Sequence, residues 1–235
     1  MSLVTARDSA LADALRDQPV ARAAVTLVRE LGIAVRSLRG ASQFRRLRGQ
    51  RELKVHLGCG ADVRPGWINI DVAAKSKDGA IVVTHDLRKG LPLESDSCAL
   101  IYSAHFFEHL DYRAGLRLMR DCHRALRLGG VIRFAMPNFR GMFVAYLRGD
   151  WEYLDLVDIR AALPYLEPGT ETLVDHVNYG VYQRGEHKTI YDEEKLSLLL
   201  RSIGFSTVAE SSFDPELDPA KPIRQRYSFY LEAIK

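Results

Sequence analysis

The residues best suited to chemistry in this chain are a glycine turn and a carboxylate that follows it. Leu53, Val55 and Leu57 form a short apolar run that stops at Gly58-Cys59-Gly60. A strand ending on glycines can turn its next amides toward a ligand, since glycine reaches positive φ without strain and has no side chain to hold the ligand off. A second run, residues 67–72, carries Asp71 near its end. One carboxylate accepts two hydrogen bonds at once, which suits the paired hydroxyls of a ribose. A glycine turn after strand one and an acid at the tip of strand two therefore form a nucleotide grip. The third glycine of that fingerprint is missing, because Val63 stands in its place.

His105, Glu108 and His109 form a second group. H-x-x-E-H is also the inverted zinc-protease string, but that chemistry needs both histidines on one helical face. Here the string follows a strand tip, so hydrolysis is set aside. A metal site completed by His176 or His187 stays open, and so does a simple cap on the following helix; no metal is assigned. His187 and Tyr191 precede the last helix and are candidates for the acceptor side, with lid structure as the alternative.

These residues need a scaffold, and the chain has enough material for one. With 235 residues and 47% hydrophobic content it can bury a sizeable core in one domain with an appendage. A net charge of +3 implies no nucleic-acid partner by itself. Cys59, Cys98 and Cys122 are odd in number and form no close pair, which argues against a disulfide framework and against an iron–sulfur cluster. Arg7, Asp8, Asp13, Arg16 and Asp17 spoil a secretory signal, and no apolar run approaches the ~18 residues of a membrane span. A cytoplasmic protein is expected.

Residues 1–52 are read as the appendage, a basic amphipathic helical leader. They hold ten arginines, no lysine and five acids, so the basic character of the chain lies there. Val20, Ala24, Leu27, Val28, Leu31, Val35 and Leu38 make one helical stripe, with Arg22, Arg29 and Arg36 on the opposite face. The stripe is expected to pack over the sheet. The alternative is an interfacial helix, residues 20–52 touching anionic lipid or an anionic substrate, which would make the protein peripheral to a membrane.

The link from Gly58 to Gly66 is too short for an ordinary crossover helix, and Pro65-Gly66 forbids much of one, so the first helix should shrink to a turn. Strands three, four and five are expected at 80–84, 99–103 and 131–136. A helix capped by Asp111 should run to about 127, where Gly129-Gly130 closes it. Residues 137–191, with nine of the chain's 21 aromatics, among them Tyr165, read as an insertion where a ligand lid should stand. Asp192 caps a last helix over 193–203 that Gly204 stops. Two final strands, 205–212 and 226–234, flank a loop marked by Pro215, Pro219 and Pro222.

In this order, Leu57-Gly58-Cys59-Gly60, Pro65-Gly66-Trp67-Ile68-Asn69-Ile70-Asp71, His85-Asp86-Leu87, Phe107-Glu108-His109-Leu110 and Leu128-Gly129-Gly130 resemble the class I S-adenosylmethionine-dependent methyltransferases. Tyr191-Asp192-Glu193-Glu194-Lys195-Leu196 and Gly204-Phe205 extend the likeness to residues 53–235. The nearest branch is type 11-like, of the kind linked to bacterial cell-surface glycan synthesis. The resemblance implies an α/β fold: a doubly wound, seven-stranded Rossmann-like sheet with its last strand antiparallel, plus the N-terminal helical appendage. The ligand crevice should lie at the carboxyl ends of strands one, two, four and five, built without the leader.

The resemblance also implies S-adenosyl-L-methionine as cofactor, bound by Gly58, Cys59, Gly60, Asp71, Asp86, Leu87 and Ser103. Asp71 would take the ribose, Asp86 the adenine amino group, and Leu87 would supply backbone and an apolar wall. The family often has an acid two residues before the first glycine; His56 stands there, leaving the contact to the methionine amino group unassigned. His105, just past strand four, would face the departing methyl group as a base. Asn-Pro-Pro-Tyr, which grips amino groups on bases, is replaced by Ser103-Ala104-His105-Phe106. That argues against methylation of base amino groups and towards a hydroxyl or another nucleophile, and the leading reading is transfer to oxygen of a sugar or another small hydroxyl acceptor. An RNA methyltransferase clamping its substrate with the leader, and a non-catalytic cofactor-binding module, are the competing functions. Steeply salt-dependent RNA binding would mark the first, and lack of turnover the second.

Overall fold

The computed structural model describes residues 19–73, 75, 79–155, 159–163, 166–219 and 225–235. Residues 1–18 of the leader, Tyr165 and Pro222 lie outside the described residues. In chain order the elements are α1 (Pro19–Arg45), β1 (Leu53–Leu57), β2 (Ile68–Asp71), β3 (Ile81–Thr84), β4 (Cys98–Ala104), α2 (Tyr112–Ala125) and β5 (Leu126–Pro137). The insertion then supplies α3 (Phe139–Arg148), α4 (Trp151–Leu154), α5 (Ile159–Ala162) and α6 (Leu173–Tyr182). Helix α7 (Glu193–Ile203) and strands β6 (Thr207–Ser211) and β7 (Ser228–Ile234) complete the chain.

The strands form one seven-stranded sheet in the order β3-β2-β1-β4-β5-β7-β6. β3, β2, β1, β4 and β5 pair in parallel, while β7 is antiparallel to both of its neighbours. The winding reverses between β1 and β4, which opens a crevice at their carboxyl ends. This is the expected doubly wound α/β sheet.

Local chemistry accounts for several elements. No helix joins β1 to β2; fully buried Asn69 pins a turn there instead. Its side chain accepts the Arg64 N–H at 2.8 Å and donates to the carbonyls of Arg64, Trp67 and Ile81 at 2.9, 3.1 and 3.2 Å. Asp111 caps α2 through the Ala114 N–H at 2.8 Å, Asp192 caps α7 through the Lys195 N–H at 2.8 Å, and left-handed Gly204 ends α7. One boundary differs from expectation. Helix α2 stops at Ala125, and Gly129-Gly130 lies inside β5. Gly130 serves close strand approach, since a Cβ there would sit 2.8 Å from the Arg127 carbonyl oxygen and 3.1 Å from that of Cys98.

The main core lies where α2, α7 and the end of α1 cover the sheet, with Leu118, Met119, Leu196 and Leu200 packed on Val55, Leu57, Ile101 and Phe134. A smaller cluster of Tyr102, Ala104, Ala135 and Tyr230 packs with Trp67 and Phe213. There Arg133, 1% exposed, pairs with Asp218 and, at 2.6 Å, with Glu232. The insertion has its own core of Phe139, Met142, Ala145, Leu154 and Tyr227.

The leader helix sits differently from its expected packing. The stripe of Val20, Leu27, Val28, Leu31, Val35 and Leu38 faces outward, each residue 57–81% exposed. Contact with the domain is made instead by Ile33, Gly40 and Phe44. Gly40 admits a backbone approach that a side chain would block, because a Cβ there would lie 2.2 Å from the Thr84 carbonyl oxygen. The Gln43 amide donates to the Val82 carbonyl at 2.7 Å and accepts the Thr84 N–H at 3.1 Å. It thereby satisfies the otherwise open edge of β3. Specific polar contacts at a sheet edge outweighed an apolar stripe in deciding which side packs.

Candidate active site

The glycine turn is built by β1 and β2 together. The Gly58 N–H donates to the Ile70 carbonyl at 2.9 Å, and the Gly60 N–H donates to Asp71 Oδ2 at 3.1 Å. Both glycines have positive φ, +62° and +52°, where L side chains are strained. A Cβ on Gly58 would fall 2.2 Å from the Phe106 ring, whereas nothing lies within 4 Å of one on Gly60. The first glycine lets Phe106 lie on the turn; the second borders open space. Cys59 is buried, and burial together with the Asp71 charge pushes its thiol up to about 12, so it is no nucleophile at neutral pH. Ser103 pairs with Leu57 across the sheet, and its fully buried Oγ has no hydrogen-bond partner among the described residues.

Asp71, Asp86, Leu87, Phe106 and His109 line a cleft of about 590 Å³ beside this turn. Against expectation, the leader contributes to it, through Thr26, Glu30 and Ile33. Asp86, expected to receive the adenine amino group, is engaged on both oxygens by Arg88, at 2.8 Å from Nε and 2.9 Å from Nη2. Arg88 in turn reaches Glu30 of α1 at 2.9 and 2.6 Å. Burial pushes the Asp86 carboxyl up, but the hydrogen bonds and charge of Arg88 more than offset this and hold it below the usual carboxylate range. Leu87 is 3% exposed and serves both the core and the cleft wall.

The residues present fit an adenosyl ligand: open space at Gly60, a carboxylate at the tip of β2, an orphan hydroxyl beside the turn and an apolar wall. Asp71→Ala is expected to weaken S-adenosylhomocysteine binding by about 1.5–3 kcal/mol, the worth of hydrogen bonds to a charged group. Titration calorimetry measures it, and unchanged affinity would place the ribose elsewhere.

A second cavity, of about 280 Å³, is lined by His105, Glu108, His109, His176, His187 and Tyr227, among others. His109 lines both hollows. His105 sits at the tip of β4 with φ +47°, a strained conformation for a non-glycine residue. Its Nε2 is 2.7 Å from Ser228 Oγ, and its Nδ1 is 3.7 Å from Oε1 of fully buried Glu108. The Glu108 carbonyl accepts the N–H groups of Lys188 and Thr189 at 2.7 and 3.2 Å, which straps the end of the insertion over this loop.

His187 joins the cavity through that strap. Its Nδ1 is 2.7 Å from the Gly180 carbonyl oxygen, and its ring meets His109 edge-on at 4.9 Å. Burial and, after it, the charge of His109 lower its pKa, so it is neutral at neutral pH. Ligand atoms of Glu108, His109 and His187 lie within 4.8 Å of one another, a set that suits a borderline divalent ion. Of the two histidines considered for that role, His187 is brought in, while His176 pairs with Glu171 at 3.0 Å. Tyr191 is a correction: it is 1% exposed, sits in the main core and points its hydroxyl at Gly115 of α2. Burial drives its phenol up to about 12. The sequence reading missed Ser228, whose partner His105 lies on a distant element, and Arg88, which binds Asp86 two positions before it as well as Glu30 of α1.

Residues 47–134 match a family model described as a methyltransferase domain. No curated protein matches the chain in sequence. Similar solved structures include an S-adenosylmethionine-dependent methyltransferase from Archaeoglobus fulgidus, 17% identical over 85% of this chain and 94% of that one, with a TM-score of 0.46. Another from Mesorhizobium loti is 18% identical over 83% and 96%, with a TM-score of 0.44. A phosphoethanolamine N-methyltransferase from Haemonchus contortus is 12% identical over 83% of this chain but 52% of its own, with a TM-score of 0.47. The match spans the glycine turn, Asp71 and the Asp86-Leu87 wall, so residues 47–134 are similar to a methyltransferase domain over the segment that carries the grip.

Proposed function

We propose that the protein methylates a hydroxyl oxygen on a sugar or another small acceptor, with His105 as the base. The observation that carries this reading is that the cleft beside the glycine turn and the histidine-lined cavity share His109 as a wall. A ligand in the first and an acceptor in the second would be neighbours. Bound S-adenosylmethionine supplies a methyl group already activated on a positively charged sulfur. The protein's part is then alignment, exclusion of water and removal of the acceptor's proton. Ser228 Oγ holds His105 Nε2 at 2.7 Å, so an acceptor hydroxyl would take the place of that contact to give up its proton there. Glu108, on the Nδ1 side, favours the imidazolium that forms.

The sugar is favoured by the motif likeness to the glycan-linked branch. A metal-assisted version of the same transfer is favoured by the Glu108, His109 and His187 set, which would orient an acceptor oxygen. Incubation with methyl-labelled S-adenosylmethionine and separate glycan, lipid and RNA extracts tests the acceptor class. Label in the glycan fraction is expected; label confined to RNA would sink the hydroxyl-acceptor reading.

A further inference from the structure

We propose that α1 docks this protein on an anionic lipid bilayer. The helix is two-sided. One side is committed to the domain through Ile33, Gly40, Gln43 and Phe44. On the other side Val20, Leu27, Leu31, Val35 and Leu38 recur at helical spacing, 57–81% exposed, along ~27 Å of helix. An exposed apolar stripe of this length marks an interaction surface. No helix among the described residues is long and apolar enough to cross a membrane, so the stripe would lie along a surface.

Charge identifies the occupant. Residues 19–51 hold eight arginines and one acid, Glu30, which Arg88 holds. Arg36 turns to the domain, its Nε donating to the Val72 carbonyl at 3.1 Å, so the charge that bears on a surface is that beyond the end of the stripe. Arg45 and Arg46 are exposed where the stripe ends. Beside them a groove of about 650 Å³ continues the apolar surface with Leu38, Phe44, Leu47 and Leu93, and adds the cations Arg45, Arg48 and Lys89. Glu94, its acid, is held by the Gly49 N–H at 3.1 Å and Arg51 at 3.0 Å. A second copy laid on the stripe offers these arginines no acid, since Glu30, the one acid of residues 19–51, is held by Arg88. A bilayer with anionic headgroups accepts both features at once: apolar side chains sink to the acyl boundary while arginines meet phosphates. The opposite side of the same helix lines the cleft beside the glycine turn through Thr26, Glu30 and Ile33, so docking would bring that cleft within a helix diameter of lipid, roughly 10 Å.

Co-sedimentation of the full chain tests this with two kinds of vesicle, phosphatidylcholine alone and phosphatidylcholine mixed with phosphatidylglycerol. At low salt the protein should pellet with the anionic vesicles. Neutral vesicles, high salt, or the double variant Leu31→Glu/Val35→Glu should each cut the bound fraction at least about tenfold. The variant positions are exposed and lie outside the cleft, so unchanged S-adenosylhomocysteine affinity would show that the fold survives. Failure of the parent to pellet, equal pelleting on neutral vesicles, or undiminished pelleting of the variant would each overturn the proposal. So would light scattering that finds a dimer in the parent and a monomer in the variant, because a second copy would then cover the stripe.

Discussion

His105→Ala is expected to leave S-adenosylhomocysteine affinity nearly intact and to cut turnover at least about a hundredfold. A positioned general base contributes roughly 10²–10⁴ in rate, and the imidazole lines the histidine-lined cavity, not the cleft beside the glycine turn. Single-turnover transfer of labelled methyl to the identified acceptor separates this from a binding defect, while calorimetry gives the affinity. The metal-assisted version predicts a different pattern: wild-type activity lost to a chelator and regained with a divalent ion. If His105→Ala keeps most of its turnover and the enzyme ignores chelators, neither role holds. Alignment alone would then drive transfer, and His105 would be a wall residue.

Asp218→Ala is expected to destabilise the fold by about 3–5 kcal/mol, the cost of leaving a buried charge without its partner. Arg133 is 1% exposed and all five of its N–H donors are used. Nε and Nη2 meet Asp218, the former at 3.3 Å; Nη1 meets Glu232 at 2.6 Å and Ser211 Oγ at 2.9 Å; Nη2 also meets the Ser212 carbonyl at 2.6 Å. Asp218 is held in turn by the Tyr102 hydroxyl at 3.1 Å and the Asp214 N–H at 2.8 Å. Glu232 is 40% exposed on its side chain, so it compensates the guanidinium less than Asp218 does. Urea unfolding reads the loss. The double variant Arg133→Leu/Asp218→Leu should be less destabilised than Asp218→Ala, since removing both charges leaves none stranded. A loss within about 1 kcal/mol for the single variant would show that Glu232 and water suffice.

The features legible in the sequence are those decided by near neighbours. The glycine turn, the short link to β2, the caps at Asp111 and Asp192 and the stop at Gly204 depend on backbone needs met within a few residues. The strand positions follow the apolar runs, and their order and direction followed from the motif likeness.

Other features depended on strand order and close packing, which local pattern does not encode. The apolar stripe of α1 was visible, but its outward direction was not, because that was decided by Gly40 and Gln43 meeting β3 about 40 positions away. Asp86 read as an open acceptor although Arg88, two positions on, engages both of its oxygens; what the fold added was Glu30, 58 positions away, on the other side of Arg88. His187 and His176 were equivalent on spacing alone; the strap on the Glu108 carbonyl brought only His187 to His109. Ser228 reaches His105 across 123 positions because β7 inserts antiparallel beside β5. The sequence by itself thus determined the sheet-forming segments, the glycine turn and the kind of ligand it suits. Only the tertiary structure decided which side chains face one another across the two hollows, since those pairings are made by elements distant in the chain whose contacts form together on folding.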